Sequence, residues 1–303
     1  MSDLDVRLVD APPSIPALFA RAVATSRGRA GATAPLPTHR LMMTGVRQDV
    51  RRLADYAEVT GGVLSDRLPA TWLHVLTFPL QVQLMAGRDF PFPMVGLVHV
   101  ANAMTQHRPV RVEEELILST WTDTLAPHRK GHTVDLVGEV RVGDEVVWEG
   151  RSTYLARGRG AEAGPPSPSP GAPGPGPGAP GPDAPQLAIP QTELATWRLP
   201  ADLGRRYAGV SGDANPIHLT ALTAKALGFP RAIAHGMWTH ARALAAVQPR
   251  LVDAFTVDAQ FVKPILLPST VVLRGGVTDG VGALAVTSRD AASRHLFLQV
   301  SRP

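Results

Sequence analysis

Cysteine is missing from all 303 residues of this chain, which removes disulfides, thiolate nucleophiles and Cys-based zinc sites together. No apolar run approaches the ~18 residues that would mark a bilayer crossing, so no membrane span is expected. The first residues also lack the continuous apolar core of a secretory signal, being interrupted by Asp3, Asp5 and Asp10; a cytoplasmic protein is the simplest expectation. Lysine is scarce, occurring only at 130, 225 and 263. The basic residues are therefore almost all arginine, and they are scattered. Pairs such as Arg51-Arg52 and Arg205-Arg206 read as solvated helix faces and not as a phosphate track. The isoelectric point is near 9.9, but the net charge is only +4, and nucleic acid is not an expected partner.

What is abundant is proline and glycine, concentrated in one place. From Gly164 to Pro185, 16 of 22 residues are Pro or Gly, a composition that cannot form a core and reads as an extended, disordered linker over 157–190. It divides the chain into 1–156 and 191–303, each long enough for a domain. The two parts resemble one another. Tyr56-Ala57-Glu58-Val59-Thr60-Gly61 matches Tyr207-Ala208-Gly209-Val210-Ser211-Gly212, and each part ends in three strand-like runs. In the first part these lie near 114–122, 132–142 and 145–155, with Gly143-Asp144 as a two-residue hairpin turn. In the second they lie near 270–277, 283–289 and 295–301. A helix apolar nearly all round is predicted over 69–87, with Pro79 expected to kink or break it. A short amphipathic helix is expected over 15–23.

The densest chemistry lies between Tyr207 and Ala224. Asp213, Asn215 and His218 fall within six residues around a turn and a helix start. Gly212 permits the tight turn, Asn215 has N-cap chemistry, and Pro216 suits the first helical position, which places His218 third in the helix. Asp213 can then fold back so that an acid and a base face one pocket. Elimination or addition of water beside a carbonyl needs one group for the α-proton and another for the oxygen, and this pair supplies both. The helix pole is expected to favour the Asp213 carboxylate and to disfavour a protonated His218. A second helix is predicted from Gly236 to Val247, and the Gly236 N–H is the candidate donor to the enolate-like oxygen. Asp-x-Asn-Pro is also ordinary turn chemistry, so on these residues alone a purely structural role stands equally open.

Tyr207, Val210, Ser211-Gly212-Asp213, Asn215-Pro216-Ile217-His218 and Ala224 resemble the signature of the MaoC-like, or hydratase 2, family of (R)-specific enoyl-thioester hydratases and dehydratases. Gly228-Phe229-Pro230, Ala234-His235-Gly236-Met237 and Gln260-Phe261-Val262-Lys263-Pro264 are similar to that family as well, in its usual order. The resemblance covers Leu194 to Pro303. It implies an α+β double hot-dog fold, two tandem antiparallel sheets each wrapped around a central helix. It also implies a hydro-lyase of fatty acid metabolism acting on an acyl thioester of coenzyme A or acyl carrier protein, with Asp213 and His218 as the catalytic pair. Asn215 would orient the water or the pair, and Ser211, His235 and Tyr207 are candidates for substrate contact. No cofactor and no metal are expected. The alternatives are a non-catalytic acyl-thioester binding module and a hot-dog thioesterase.

Aligning Tyr56 with Tyr207 places Gly62 opposite Asp213 and Arg67 opposite His218, so residues 1–156 read as a degenerate copy without acid or base. It is expected to lack the segment that overhangs the sheet, and to pair with the catalytic copy inside one chain; a homodimer is a further possibility. The ten histidines show no HExxH or comparable metal spacing. Glu113-Glu114-Glu115 reads as a solvated strand entry. Ser211 lacks the GxSxG context of a nucleophile, so its hydroxyl is expected to hold the turn.

Overall fold

The computed structural model describes residues 5–26, 28–158 and 189–303; the expected linker, from 159 to 188, lies outside the described residues. The chain groups into two compact units. One contains Met1–Val46, Leu76–Ala103 and Glu115–Pro185, and the other Arg47–Val75, Met104–Glu114 and Gln186–Pro303. These units are not the two stretches on either side of the Pro/Gly segment. Residues 47–75 and 104–114 group with the C-terminal part because their side chains pack there, as described below.

The first unit opens with β1 (Asp5–Leu8) and α1 (Ile15–Ala24), followed by β2 (His39–Val46). The expected helix over 15–23 is therefore present. β1 was not anticipated: all four residues are exposed, so it carries no alternation of buried and solvated positions, and it pairs parallel to β2. β4 (Leu116–His128), β5 (Gly131–Val142) and β6 (Glu145–Arg157) follow as antiparallel neighbours, with Val142 opposite Glu145 across the expected Gly143-Asp144 turn. With β3 (Val98–Gln106) the strand order is β1-β2-β4-β5-β6-β3. Leu118, Val134, Leu136, Val140 and Trp148 have no exposed surface and form the core.

Between the strands run α2 (Val50–Thr60) and α3 (Ala70–Ala86). α3 matches the helix predicted over 69–87 but is not broken at Pro79. An interior proline costs about 3 kcal/mol. Leu73, Val75, Leu80, Val82 and Leu84 are all essentially fully buried, each contributing about 1.5–3 kcal/mol, so burial outweighs the lost hydrogen bond.

The second unit contains β7 (Glu193–Leu199), α4 (Leu203–Ser211), the short helices α5 (Pro216–Leu219) and α6 (Ala221–Ala226), then α7 (Gly236–Val247). α7 has the predicted bounds. β8 (Phe255–Phe261), β9 (Ser269–Thr278), β10 (Val281–Ser288) and β11 (Arg294–Ser301) complete an antiparallel set ordered β8-β11-β10-β9-β7. α7 buries Met237, Trp238, His240, Ala241, Leu244 and Val247. The order β7-β9-β10-β11-β8 repeats β2-β4-β5-β6-β3 position for position, so the internal repeat seen in the sequence is a repeat of topology.

α2 packs with α4 inside the second unit. Tyr56 and Tyr207 lie 6.2 Å apart, ring centre to ring centre. Side chains also close the carbonyls that helix ends leave without partners. Trp238 Nε1 donates to the Val59 carbonyl at 2.8 Å, and Arg52 Nε to the Val210 carbonyl at 2.8 Å. These contacts hold residues 47–75 beside the C-terminal part.

The repeat also corrects one alignment. Leu68 N–H donates to the Val110 carbonyl just before α3, as Ala234 N–H donates to Ile265 just before α7. Arg67 bridges Arg111 as Ile233 bridges Leu266. Arg67 therefore corresponds to Ile233 and not to His218. The first copy has not replaced the histidine; it lacks the segment that carries it, since Gly61 to Pro69 spans what Gly212 to His235 spans in the second copy.

Candidate active site

The site is built on the turn from α4 into α5 and on the N-terminus of α7. α4 ends at Gly212, whose φ of 79° is the left-handed conformation that favours glycine. The Ser211 hydroxyl donates to the Tyr207 carbonyl at 2.8 Å and accepts from the Asp213 N–H at 3.1 Å. Asp213 Oδ1 accepts from the Asn215 N–H at 3.2 Å, and Asn215 Oδ1 accepts from the Ile217 N–H at 3.4 Å. Asn215 is thus the N-cap, Pro216 occupies the first helical position, and His218 is third, as its spacing predicts.

The imidazole of His218 meets a group that sequence reasoning did not supply. His218 Nδ1 lies 2.8 Å from the Ile233 carbonyl. A carbonyl only accepts, so Nδ1 carries the proton, and the lone pair of a neutral ring sits on Nε2. His235 packs face to face on it, with ring centres 3.6 Å apart. His235 Nε2 donates to the Asp213 main-chain carbonyl at 3.0 Å and lies 3.8 Å from Asp213 Oδ2. The two histidines therefore hold opposite tautomers. Tyr207 closes the stack, its ring 4.9 Å from His235; its hydroxyl hydrogen-bonds Tyr56, which donates to Thr71 Oγ1 at 2.9 Å.

Burial sets the protonation. It pushes His218 down to about 3, helped by neighbouring His235 and opposed by Asp213, and pushes His235 down to about 4. Burial also raises the Asp213 carboxyl above its ordinary range, against the pull of His218 and the Asn215 N–H. The helix-pole argument anticipated a neutral His218. It also anticipated a favoured carboxylate at Asp213, and there the direction is reversed, because desolvation outweighs the pole of a four-residue helix.

Of the expected site residues, Asp213, His218, His235, Asn215 and Gly236 come together. Ser211 and Tyr207 join them as supports; both are buried, with their hydroxyls engaged by protein partners. Gly236 starts α7, and its bareness has a further cause. A Cβ there would stand 2.9 Å from Cδ1 of Phe261, so the ring of β8 occupies the space a side chain would need. Ile233 and Phe261 were missed as working parts. Phe261 stands within a quoted motif, whereas the Ile233 carbonyl leaves no trace in side-chain type. Asp213, His218 and His235 each offer one ligand atom within 4.8 Å of the others, close enough for a small ion. Each ring spends one nitrogen on a main-chain carbonyl, His218 Nδ1 on Ile233 and His235 Nε2 on Asp213, which leaves one nitrogen of each without a protein hydrogen bond.

A cavity of about 170 Å³ is lined by Tyr56, Thr60, Gly62, Leu68, Ala241, Leu244 and Ala245 among others, and none of Asp213, His218 or His235 lines it. The tyrosine pair stands between it and His235.

A family model described as a MaoC like domain matches residues 184–292. The chain is 37% identical over 266 residues to 3-hydroxyacyl-thioester dehydratase X of Mycobacterium tuberculosis, covering 88% of this chain and 89% of that protein. The chain belongs to the MaoC-like dehydratase family. The crystal structure of the M. tuberculosis protein HtdX superposes with a TM-score of 0.73 at 32% identity, over 88% of this chain and all of that one. A MaoC-like dehydratase from Phytophthora capsici, 16% identical over 90% of this chain and 97% of its own, shares the fold with a TM-score of 0.67. These likenesses and the repeated topology make the fold a double hot-dog of the α+β class. No helix among the described residues is long and apolar enough to cross a membrane.

Proposed function

We propose that this protein is a 3-hydroxyacyl-thioester dehydratase, and in reverse an enoyl-thioester hydratase, of fatty acid metabolism. The observation that carries the reading is the pairing of a free, neutral His218 Nε2 with an Asp213 carboxyl whose protonated form is favoured by burial. In the dehydration direction His218 Nε2 takes the α-proton, and the C–H electrons become the double bond. Asp213 donates its proton to the departing hydroxyl, which leaves as water. The proton on His218 then returns to Asp213, and the site is restored. Gly236 N–H, first in α7 and without an intrahelical partner by position, is the donor to the thioester oxygen, where charge develops. Asn215 spends its carbonyl on the cap and keeps its amide hydrogens for the hydroxyl or water. No step calls on a metal or a redox cofactor.

The substrate is a thioester of coenzyme A or of acyl carrier protein, with the (R)-3-hydroxy configuration. The acyl chain passes the tyrosine pair into the 170 Å³ cavity, which exists where the first copy lacks its overhanging segment. The packing of α2 on α4 supports the pairing of the two copies within one chain. The domain division at the Pro/Gly segment is retained as a division of repeats, 1–156 and 191–303, distinct from the compact units.

Incubation with trans-2-enoyl thioesters of several chain lengths, followed by loss of conjugated absorbance, tests the reading. Asp213→Asn and His218→Gln are expected to lower kcat by about 10²- to 10⁴-fold each with the fold intact by circular dichroism. Release of free thiol without hydration, or full activity in either variant, overturns it.

A further inference from the structure

A second pocket, about 300 Å³ in volume, is lined by other residues of α7. Trp197, Trp238, Arg198, Arg206, Arg242 and Glu58 line it. Three guanidiniums thus face one concave space, with Glu58 as the single carboxylate among its lining residues. Glu58 engages only Arg206, at 3.6 Å and from an exposed position.

Arg242 is the unusual member. It is half-buried, and burial lowers its pKa with no acidic neighbour opposing the shift. Its guanidinium lies over the ring of Trp197, 5.4 Å from the centroid, and Nη1 donates to the Thr60 carbonyl at 3.2 Å. A Cβ at Gly61 would fall on that guanidinium, and Gly61 itself holds a φ of 64°. The seat is therefore built from a ring face, a carbonyl and a bare glycine. It positions a cation without neutralising it, an arrangement that costs stability unless an anion completes it.

The pocket also lies within reach of the chemistry. Trp238 follows His235 by one helical turn, and Arg242 is six residues beyond Gly236, about 9 Å along the axis at 1.5 Å per residue. On α4, Arg206 precedes Tyr207, whose ring packs on His235. These separations are shorter than an extended pantetheine arm.

We propose that this pocket seats the phosphate of the phosphopantetheine arm, with the half-buried Arg242 as anchor and the exposed Arg198 and Arg206 at the rim. Coenzyme A and acyl carrier protein thioesters share that group. The proposal rests on the thioester reading given above, and it names which of the many arginines meet the carrier.

Calorimetric titration with 4′-phosphopantetheine and with pantetheine isolates the phosphate. The native protein is expected to bind the phosphorylated compound about tenfold or more tightly, as charge-assisted hydrogen bonds allow. Arg242→Gln and the double variant Arg198→Gln/Arg206→Gln should each remove most of that preference. The rim variant decides the matter if Arg242→Gln fails to fold. In turnover, the KM for enoyl-coenzyme A and for the enoyl acyl carrier should rise together, relative to the N-acetylcysteamine thioester, which has no phosphate. No preference in the native protein, a preference intact in the rim variant, or a KM rise confined to the coenzyme A substrate overturns the assignment. If the native protein hydrates no thioester, the dehydratase reading fails, and the calorimetric preference still judges the pocket by itself.

Discussion

The stacking of His218 and His235 divides labour between two identical side chains. His218 is fixed through Nδ1 and left free at Nε2, while His235 spends Nε2 on the main chain of Asp213. In the mechanism proposed above, His235 is a positioning residue, holding the turn that carries the proposed acid and covering the ring of the proposed base. His235→Ala is expected to lower kcat by roughly 10- to 100-fold with a smaller change in KM. It should also move the acidic limb of the kcat/KM profile to higher pH. His235 contributes both burial and charge effects that hold His218 down, and opening the stack lets the imidazole protonate more easily. A KM effect alone, with an unmoved pH profile, would assign His235 to substrate contact instead. Asp213, Asn215 and His218 were legible in the sequence because a glycine turn, an N-cap and a first-turn proline fix local geometry almost without tertiary help. The Ile233 carbonyl was not, since main-chain acceptors carry no residue type.

Among the elements, α7 shows how much a helix start depends on the strand beneath it. At Gly236 the Phe261 ring fills the space that a Cβ would need. Gly236→Ala must push the ring or tilt the helix by several tenths of an ångström. We expect a loss in kcat of about tenfold or more, in keeping with displacement of an oxyanion donor. Gly236→Ala/Phe261→Leu should recover part of it, and equal loss in both would show that the ring plays no part. α3 and α7 were readable from their apolar runs, and β4 to β6 and β9 to β11 from their strand-like runs, whereas β2, β3 and β7 were not anticipated. Correspondence between the two copies was only half readable. Tyr56 and Gly61 align with Tyr207 and Gly212 because the helix and its C-cap are the same in each, but an ungapped comparison runs past the missing segment and sets Arg67 against His218. Hydrogen bonding before α3 and α7 places Arg67 with Ile233 instead. The 170 Å³ cavity, proposed above to take the acyl chain, is lined in part by the residues that span this gap, Gly62, Arg67, Leu68 and Pro69. Ala245→Leu, which narrows it, is expected to cut kcat/KM for long enoyl chains by about tenfold while sparing the shortest. A uniform loss across chain lengths would place the acyl group elsewhere.

Taken as a whole, the molecule buries more neutral imidazole than its reaction uses. His218 and His235 serve the site, but His74 on α3 and His240 on α7 are also buried, with His74 pushed down to about 4 and His240 to about 3, chiefly by desolvation. His74 adds to the lowering at His240, and neither ring nitrogen of His240 has a hydrogen-bond partner. All four histidines bind protons less readily in the folded state than in the unfolded chain, where the pKa is near 6.5. Protons therefore favour unfolding. Stability is full above about pH 6.5 and falls as pH drops from there towards the folded values of about 3 to 4. The raised pKa of Asp213, caused by burial, works in the opposite sense. At pH 5.5 each histidine costs on the order of 1 kcal/mol relative to pH 7.5. Urea midpoints at those two pH values should differ accordingly. His240→Leu, which removes a buried imidazole that has no hydrogen-bond partner, should narrow the difference by about one histidine's share. A midpoint that is flat between pH 7.5 and 5.5 would mean that these rings find protons, or water, in the folded state.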